Sequence, residues 1–207
     1  MSSLARIGTI VLAAGYSRRF GSDKRLALLN GKPLLLHTLT SLAVIPGPKL
    51  VVASDDLPME IQSAVRADAE LLLLPRQTQN EHGLGMGDSL AAAIKSASKQ
   101  QWQAALVALA DMPGIRQDTI QSLIQALVER QQQGEPVVPV YEGGWGHPVG
   151  FQQAQFSQLS QLQGDQGGRA ILKRCQPIEV QVDDPAVLSD IDTPDDLQQF
   201  LINSSVL

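Results

Sequence analysis

Residues 7–13 read IGTIVLA and run into Ala14 and Gly15. A short, nearly continuous apolar run that stops at glycine predicts a strand buried on both faces. Similar runs recur at residues 49–53, 70–74 and 104–110, separated by stretches of helical periodicity. That alternation predicts a parallel sheet with helices on both faces. The clearest helix follows Asp118, where Ile120, Leu123, Ile124, Leu127 and Val128 form one apolar stripe and residues 130–134 its polar end. Residues 34–42 and 90–97 also carry helical patterns. Beyond residue 134 the pattern changes to two strands, 137–141 and 147–151, joined by a glycine-containing turn at 142–146. Short helices are expected at 155–162 and 167–173, a strand at 178–182, and a closing helix from Pro194. Neither an internal repeat nor a linker divides the chain, so residues 1–207 are expected to form one domain.

Composition narrows the classes. A chain of 207 residues with 43% hydrophobic and 18% charged residues can bury a core and lacks the profile of disorder. Sixteen Lys and Arg against twenty-one Asp and Glu give a net charge of -5, so no general basic field exists to hold nucleic acid. Any phosphate must be met locally. The lone Cys175 cannot form an internal disulfide, and no Cys/His set has zinc-ligand spacing. No apolar stretch reaches the roughly 18 residues of a membrane span, so a cytoplasmic protein without membrane partners is expected.

The chemistry concentrates in a few segments. After the first strand, Ala14 and Gly15 allow backbone N–H groups to approach an anion, while Arg19 and Lys24 add fixed positive charge. The loop is either a phosphate cradle or a strand-to-helix turn with solvated basic residues, and Arg18 can share or exchange the role of Arg19. It is neither GxGxxG nor GxxxxGK[ST]. Asp111 ends a buried strand, where open α/β sheets bind ligands and where Mg2+ would find a hard oxygen; an Asp before Met-Pro can equally just end the strand. Asp190 and Asp192 straddle Ile191 and would point the same way on extended chain, able to share a cation. Thr193, Pro194 and Asp196 suit N-cap, N1 and N3 of the last helix, which assigns Asp195 and Asp196 to capping.

Three alternate glycines, Gly83, Gly85 and Gly87, precede Asp88 and Ser89, either of which can cap the following helix; a plain glycine hinge is the alternative. His147, in a GHP triplet, can donate to a phosphate, stack on a flat ring, or serve structure alone. Arg169 closes a glycine-rich turn at a helix start and can meet an anion or a surface carboxylate. His37 and His82 have no partner spaced for metal or nucleophilic work.

LAAG at residues 12–15, followed by Arg19, Gly21 and Lys24, resembles the LAAGxxxR(M/F)GxxK loop of the MobA-like nucleotidyltransferases. The likeness continues through Asn80, GMGDSL (85–90), ADMP (110–113), GHPVGF (146–151), GDQGGR (164–169) and DIDTPDDL (190–197). The resemblance implies a three-layer α/β/α Rossmann-like, GT-A-like fold with a mostly parallel central sheet. It also implies a nucleotide-binding part over about 1–115 and an acceptor part over about 116–207. In that frame Leu12, Ala13, Ala14, Gly15, Arg19 and Lys24 hold the nucleotide, with its base against Gly85, Gly87 and Ser89. Arg19, Lys24 and Asp111 are catalytic, Asp111 with Asp192 or Asp190 holds Mg2+, and His147 and Arg169 hold the acceptor. Ala14 and the GMGxSL form look like the cytidylyltransferase branch, since guanylyltransferases usually read LAGG. The implied reaction is transfer of CMP from CTP to a phosphorylated acceptor, molybdopterin-bound molybdenum, with release of pyrophosphate. GTP or a sugar phosphate are the alternatives within the fold. A different class is a cofactor carrier that docks transiently on a molybdoenzyme, though an intact Arg19, Lys24 and Asp111 set favours catalysis.

Overall fold

The computed structural model describes residues 6–15, 19–76 and 85–204. Strand β1 (Ile7–Ala13) leads through a 3-10 turn at Lys24–Leu26 to the hairpin β2 (Leu28–Leu29) and β3 (Lys32–Pro33), then to α1 (Leu34–Ser41). Next come β4 (Lys49–Ser54), α2 (Met59–Arg66), β5 (Glu70–Leu74), α3 (Met86–Lys99), β6 (Ala104–Leu109) and α4 (Gln117–Glu129). The remainder comprises β7 (Val137–Tyr141), β8 (Gly144–Trp145), β9 (Val149–Gln152), α5 (Gln153–Leu159), α6 (Arg169–Cys175), β10 (Ile178–Gln181), a 3-10 turn at Pro185–Leu188, and α7 (Pro194–Ser204).

The main sheet runs β10-β7-β9-β6-β1-β4-β5, with β8 on β7. β1 is paired in parallel with β4 and β6, and β4 with β5, whereas β9 lies antiparallel to both β6 and β7. The mostly parallel sheet implied by the sequence is therefore present, with β9 as its reversed strand. The chain steps outward from β1 to β4 and β5, then returns to β6 on the other side of β1. The carboxyl ends of β1 and β6 thus flank the point where strand order reverses, the place where open α/β sheets form a ligand crevice.

Alternation along the strands divides the core between two faces. Ile7, Val11 and Ala13 pack with Leu35, Leu39, Ile120 and Leu123, under α1 and α4. Ile10, Leu50 and Val107 pack with Leu90, Ile94, Phe156 and Ile171, under α3, α5 and α6. Helices on both faces make the three layers. Gly8 is required by this packing, because a Cβ there would lie 2.1 Å from the ring of the buried Trp102. A third apolar group joins Phe20, Leu29, Leu34 and Ile191 to Leu197 and Phe200 of α7. It brings the loop after β1 against the chain preceding α7.

Several boundaries differ from the sequence expectation. α3 begins at Met86 rather than residue 90, because Asp88 at its third position accepts the Gly85 N–H at 3.0 Å and stabilises a first turn that carries no apolar stripe. α5 starts at Gln153, where Gln155 Oε1 accepts the Gln152 N–H at 3.0 Å. α6 starts at Arg169 rather than 167. The second strand of the 137–151 pair starts at Val149, after a cis His147–Pro148 bond. Among the described residues no helix is long and apolar enough to cross a membrane.

Candidate active site

The exits of β1 and β6 place charge in one crevice. Lys24 opens the 3-10 turn, and its Nζ lies 2.6 Å from Asp111 Oδ2 and 2.7 Å from Asp192 Oδ1. Arg19, largely exposed, reaches Asp192 Oδ2 at 2.6 Å. Asp111 follows β6 as expected, and its backbone carbonyl accepts the Ile191 N–H at 3.0 Å, which fastens the 190–192 segment beside it. Ile191 is buried with Phe20, so the two aspartates on either side of it are held at the crevice. Burial opposes the Lys24 ammonium, but hydrogen bonds and charge from Asp111 and Asp192 outweigh it and hold its pKa above the ordinary value.

Asp111, Asp190 and Asp192 each present an oxygen, and these ligand atoms lie within 4.8 Å of one another. Asp111 Oδ1 is buried with no hydrogen-bond partner among the described residues. Burial, then the charges of Asp192 and Asp111, raises the pKa of Asp190. Crowded carboxylates with an unsatisfied buried oxygen form a donor set that suits a hard divalent cation. The residues therefore fit a hard divalent cation, and Asp190 and Asp192 both belong to the cluster.

The capping reading also has its contacts. Asp196 Oδ2 accepts the Asp192 and Thr193 N–H groups at 3.0 and 2.8 Å, while Thr193 Oγ1 accepts the Asp196 N–H at 3.2 Å. Asp195 lies in the same first turn.

Arg25 escaped the sequence reading. Its guanidinium is buried and binds Asp23 through Nε and NH2 at 2.8 and 2.6 Å. It also reaches the Ala13 carbonyl at 3.3 Å, Ser54 Oγ at 2.8 Å and Asp56 Oδ1 at 3.1 Å. One side chain thus ties the carboxyl ends of β1 and β4 to the turn that carries Lys24. Ser54 and Asp56 lie about thirty residues away in sequence, so no local spacing signals the role.

The glycine segment before α3 spends its polar groups on contacts within the protein. Gly85 N–H is given to Asp88, Gly87 N–H to the Gly164 carbonyl at 2.8 Å, and Ser89 N–H and Oγ to the Gly85 carbonyl at 3.3 and 3.2 Å. These N–H groups are used inside the protein and do not form an open cradle. A Cβ on Gly85 would fall 1.9 Å from the Gly164 carbonyl carbon, so glycine here permits two backbones to touch. Ala14 and Gly15 lie at the exit of β1, and Gly15 faces open space. Arg18, Asn80, His82, Gly83 and Leu84 lie outside the described residues.

A cavity of about 230 Å³ is lined from the sheet by Leu12, Val107 and Phe151 and also by Trp145, His147 and Arg169. Leu12, expected at the nucleotide, also lines the cavity that His147 and Arg169 line. Burial lowers the His147 pKa despite a hydrogen bond with the Val107 backbone and the charges of Asp111 and Asp190, which favours a neutral ring. Its Nδ1 is buried without a partner among the described residues. Arg169 is exposed and makes no ion pair among those residues, so the surface-carboxylate alternative has no contact behind it.

Fold and crevice are those of an α/β enzyme that handles phosphate esters at the carboxyl ends of its central strands. A model of the MobA-like NTP transferase domain matches residues 9–180, and the chain belongs to that family of nucleotidyltransferases. The purine catabolism protein PucB of Bacillus subtilis (strain 168) is 27% identical over 202 residues, covering 90% of this chain and 92% of PucB. A probable molybdenum cofactor guanylyltransferase of Trichormus variabilis is 29% identical over 197 residues, covering 91% and 87%. The bifunctional protein GlmU of Dichelobacter nodosus is 32% identical over 133 residues, 58% of this chain but only 25% of GlmU. Among solved structures, Rv0371c of Mycobacterium tuberculosis H37Rv superposes with a TM-score of 0.77 at 26% identity, covering 96% of this chain and 98% of that one.

Proposed function

We propose that the chain transfers CMP from CTP to a phosphorylated acceptor, molybdopterin-bound molybdenum, with Mg2+ and release of pyrophosphate. The observation that carries the reading is the contact of Lys24 with both Asp111 and Asp192, beside Arg19 at the exit of β1. Cations and carboxylates drawn from three separate segments meet where one polyphosphate can touch them all.

The triphosphate lies over Ala13, Ala14, Gly15, Arg19 and Lys24, with its base toward Gly85, Gly87 and Ser89. Asp111, Asp190 and Asp192 would hold the Mg2+, which would supply charge neutralisation at the transferred phosphoryl group. An oxygen of the acceptor's phosphate attacks the α-phosphorus in line, the bond from that phosphorus to the bridging oxygen breaks, and pyrophosphate departs with the electron pair. A phosphate monoester is already anionic at neutral pH, so the step needs neither a covalent enzyme intermediate nor a strong base. Arg19 and Lys24 offset the charge growing on the leaving group, and Arg25 keeps Lys24 in position from behind. The acceptor's ring enters the apolar cavity, with the neutral His147 and the cationic Arg169 in its lining.

Ala14 and the GMGDSL segment support CTP, whereas the Trichormus relative carries the name of a guanylyltransferase. Pyrophosphate release with molybdenum-bound molybdopterin, measured with CTP and with GTP, tests the choice. The expected result is a higher kcat/KM for CTP; preference for GTP would reassign the base, and no release with either would favour a carrier.

A further inference from the structure

The walls of the cavity come from two helices remote in sequence. Met86 and Leu90 of α3 line it together with Gly167, Gly168, Arg169 and Leu172 at the start of α6, and a Cβ on Gly167 would lie 3.7 Å from Met86 Sδ. Their separation is fixed by contacts centred on Gly164. Its N–H donates to Asp88 Oδ2 at 3.1 Å, and its carbonyl accepts the Gly87 N–H at 2.8 Å. The same Asp88 oxygen accepts the Gly85 N–H at 3.0 Å. Capping α3 needs only the Gly85 bond, so the bond to Gly164, 76 residues away, does something more. Backbone shape at both ends permits this contact. A Cβ on Gly87 would lie 2.6 Å from the Gln166 carbonyl oxygen, and Gly164 sits at φ +56°, where glycine is favoured.

We infer that Asp88 is a positioning residue for the acceptor: its carboxylate latches the first turn of α3 to the loop before α6 and so sets the width of the cavity between Met86 and Arg169. This rests on the cavity being the acceptor's ring site. Asp88 belongs by sequence to the segment assigned to the nucleotide, yet its partner at Gly164 belongs to the acceptor side. Loss of the latch therefore weakens the acceptor more than the nucleotide. The carboxylate touches neither substrate and acts only through the two walls.

Two measurements on the full chain test the latch. Hydrogen exchange reads it directly: in Asp88→Ala, amides of residues 163–168 exchange faster than in the wild type, while those of 104–109 do not change. Steady-state kinetics reads its purpose: with molybdenum-bound molybdopterin as acceptor and CTP as donor, Asp88→Ala raises the acceptor KM about tenfold and the CTP KM several-fold less. Asp88→Asn, whose amide oxygen can still accept both N–H groups, recovers most of that affinity. Unchanged exchange at 163–168, or a rise confined to the CTP KM or shared equally by both, would overturn the latch. A wild-type chain that releases no pyrophosphate would instead overturn the functional reading, and the exchange result would still decide whether the latch exists.

Discussion

Lys24 stands between Asp111 and Asp192 at 2.6 and 2.7 Å, where a divalent ion would compete for the same oxygens. In Lys24→Met the carboxylates lose that ammonium, so Mn2+ titrated in the absence of nucleotide and followed by electron paramagnetic resonance binds more tightly. Turnover nonetheless falls about a hundredfold or more, because the leaving pyrophosphate loses its nearest buried cation. Weaker Mn2+ binding together with normal turnover would contradict both roles of Lys24. The legibility of these residues follows from how local their signals are. Asp111 shows itself by standing at the end of an apolar strand, and Asp190 and Asp192 by their alternate spacing. Arg25 and the second bond of Asp88 were hidden because their partners are set by tertiary approach, across gaps of up to 76 residues.

Helix ends, more than helix middles, build this site. The TPDD start of α7 was readable as a cap because Thr at N-cap and Asp at N3 satisfy orphan N–H groups through short local bonds. Asp196 also holds the N–H of Asp192, a member of the carboxylate cluster, so the cap has a second effect. Asp196→Ala is expected to lower the midpoint of urea unfolding, with a parallel weakening of Mn2+ binding. A stability loss that leaves Mn2+ affinity unchanged would confine Asp196 to capping. The start of α3 was not readable in the same way. Its first turn contains Gly87, Asp88 and Ser89 in place of an apolar stripe, so periodicity locates the helix only from Leu90.

At the scale of the molecule, the alternation of apolar runs with helical stretches predicted a parallel sheet covered on both faces, and the fold has one. Strand order and the reversal of β9 were beyond it, because a buried strand reads the same whichever way its neighbours run. Yet the order β6-β1-β4-β5 is what creates the crevice, since it sets Asp111 beside the loop that carries Lys24. The central claim is that this crevice holds one metal-bound triphosphate for transfer. Pyrophosphate release from CTP with Mg2+ and molybdenum-bound molybdopterin, compared between wild type and a folded Asp111→Asn, tests it most directly. The account predicts release by the wild type and a loss of about a hundredfold or more in the variant, with the melting temperature largely retained. Asp111→Asn turning over at the wild-type rate would contradict it.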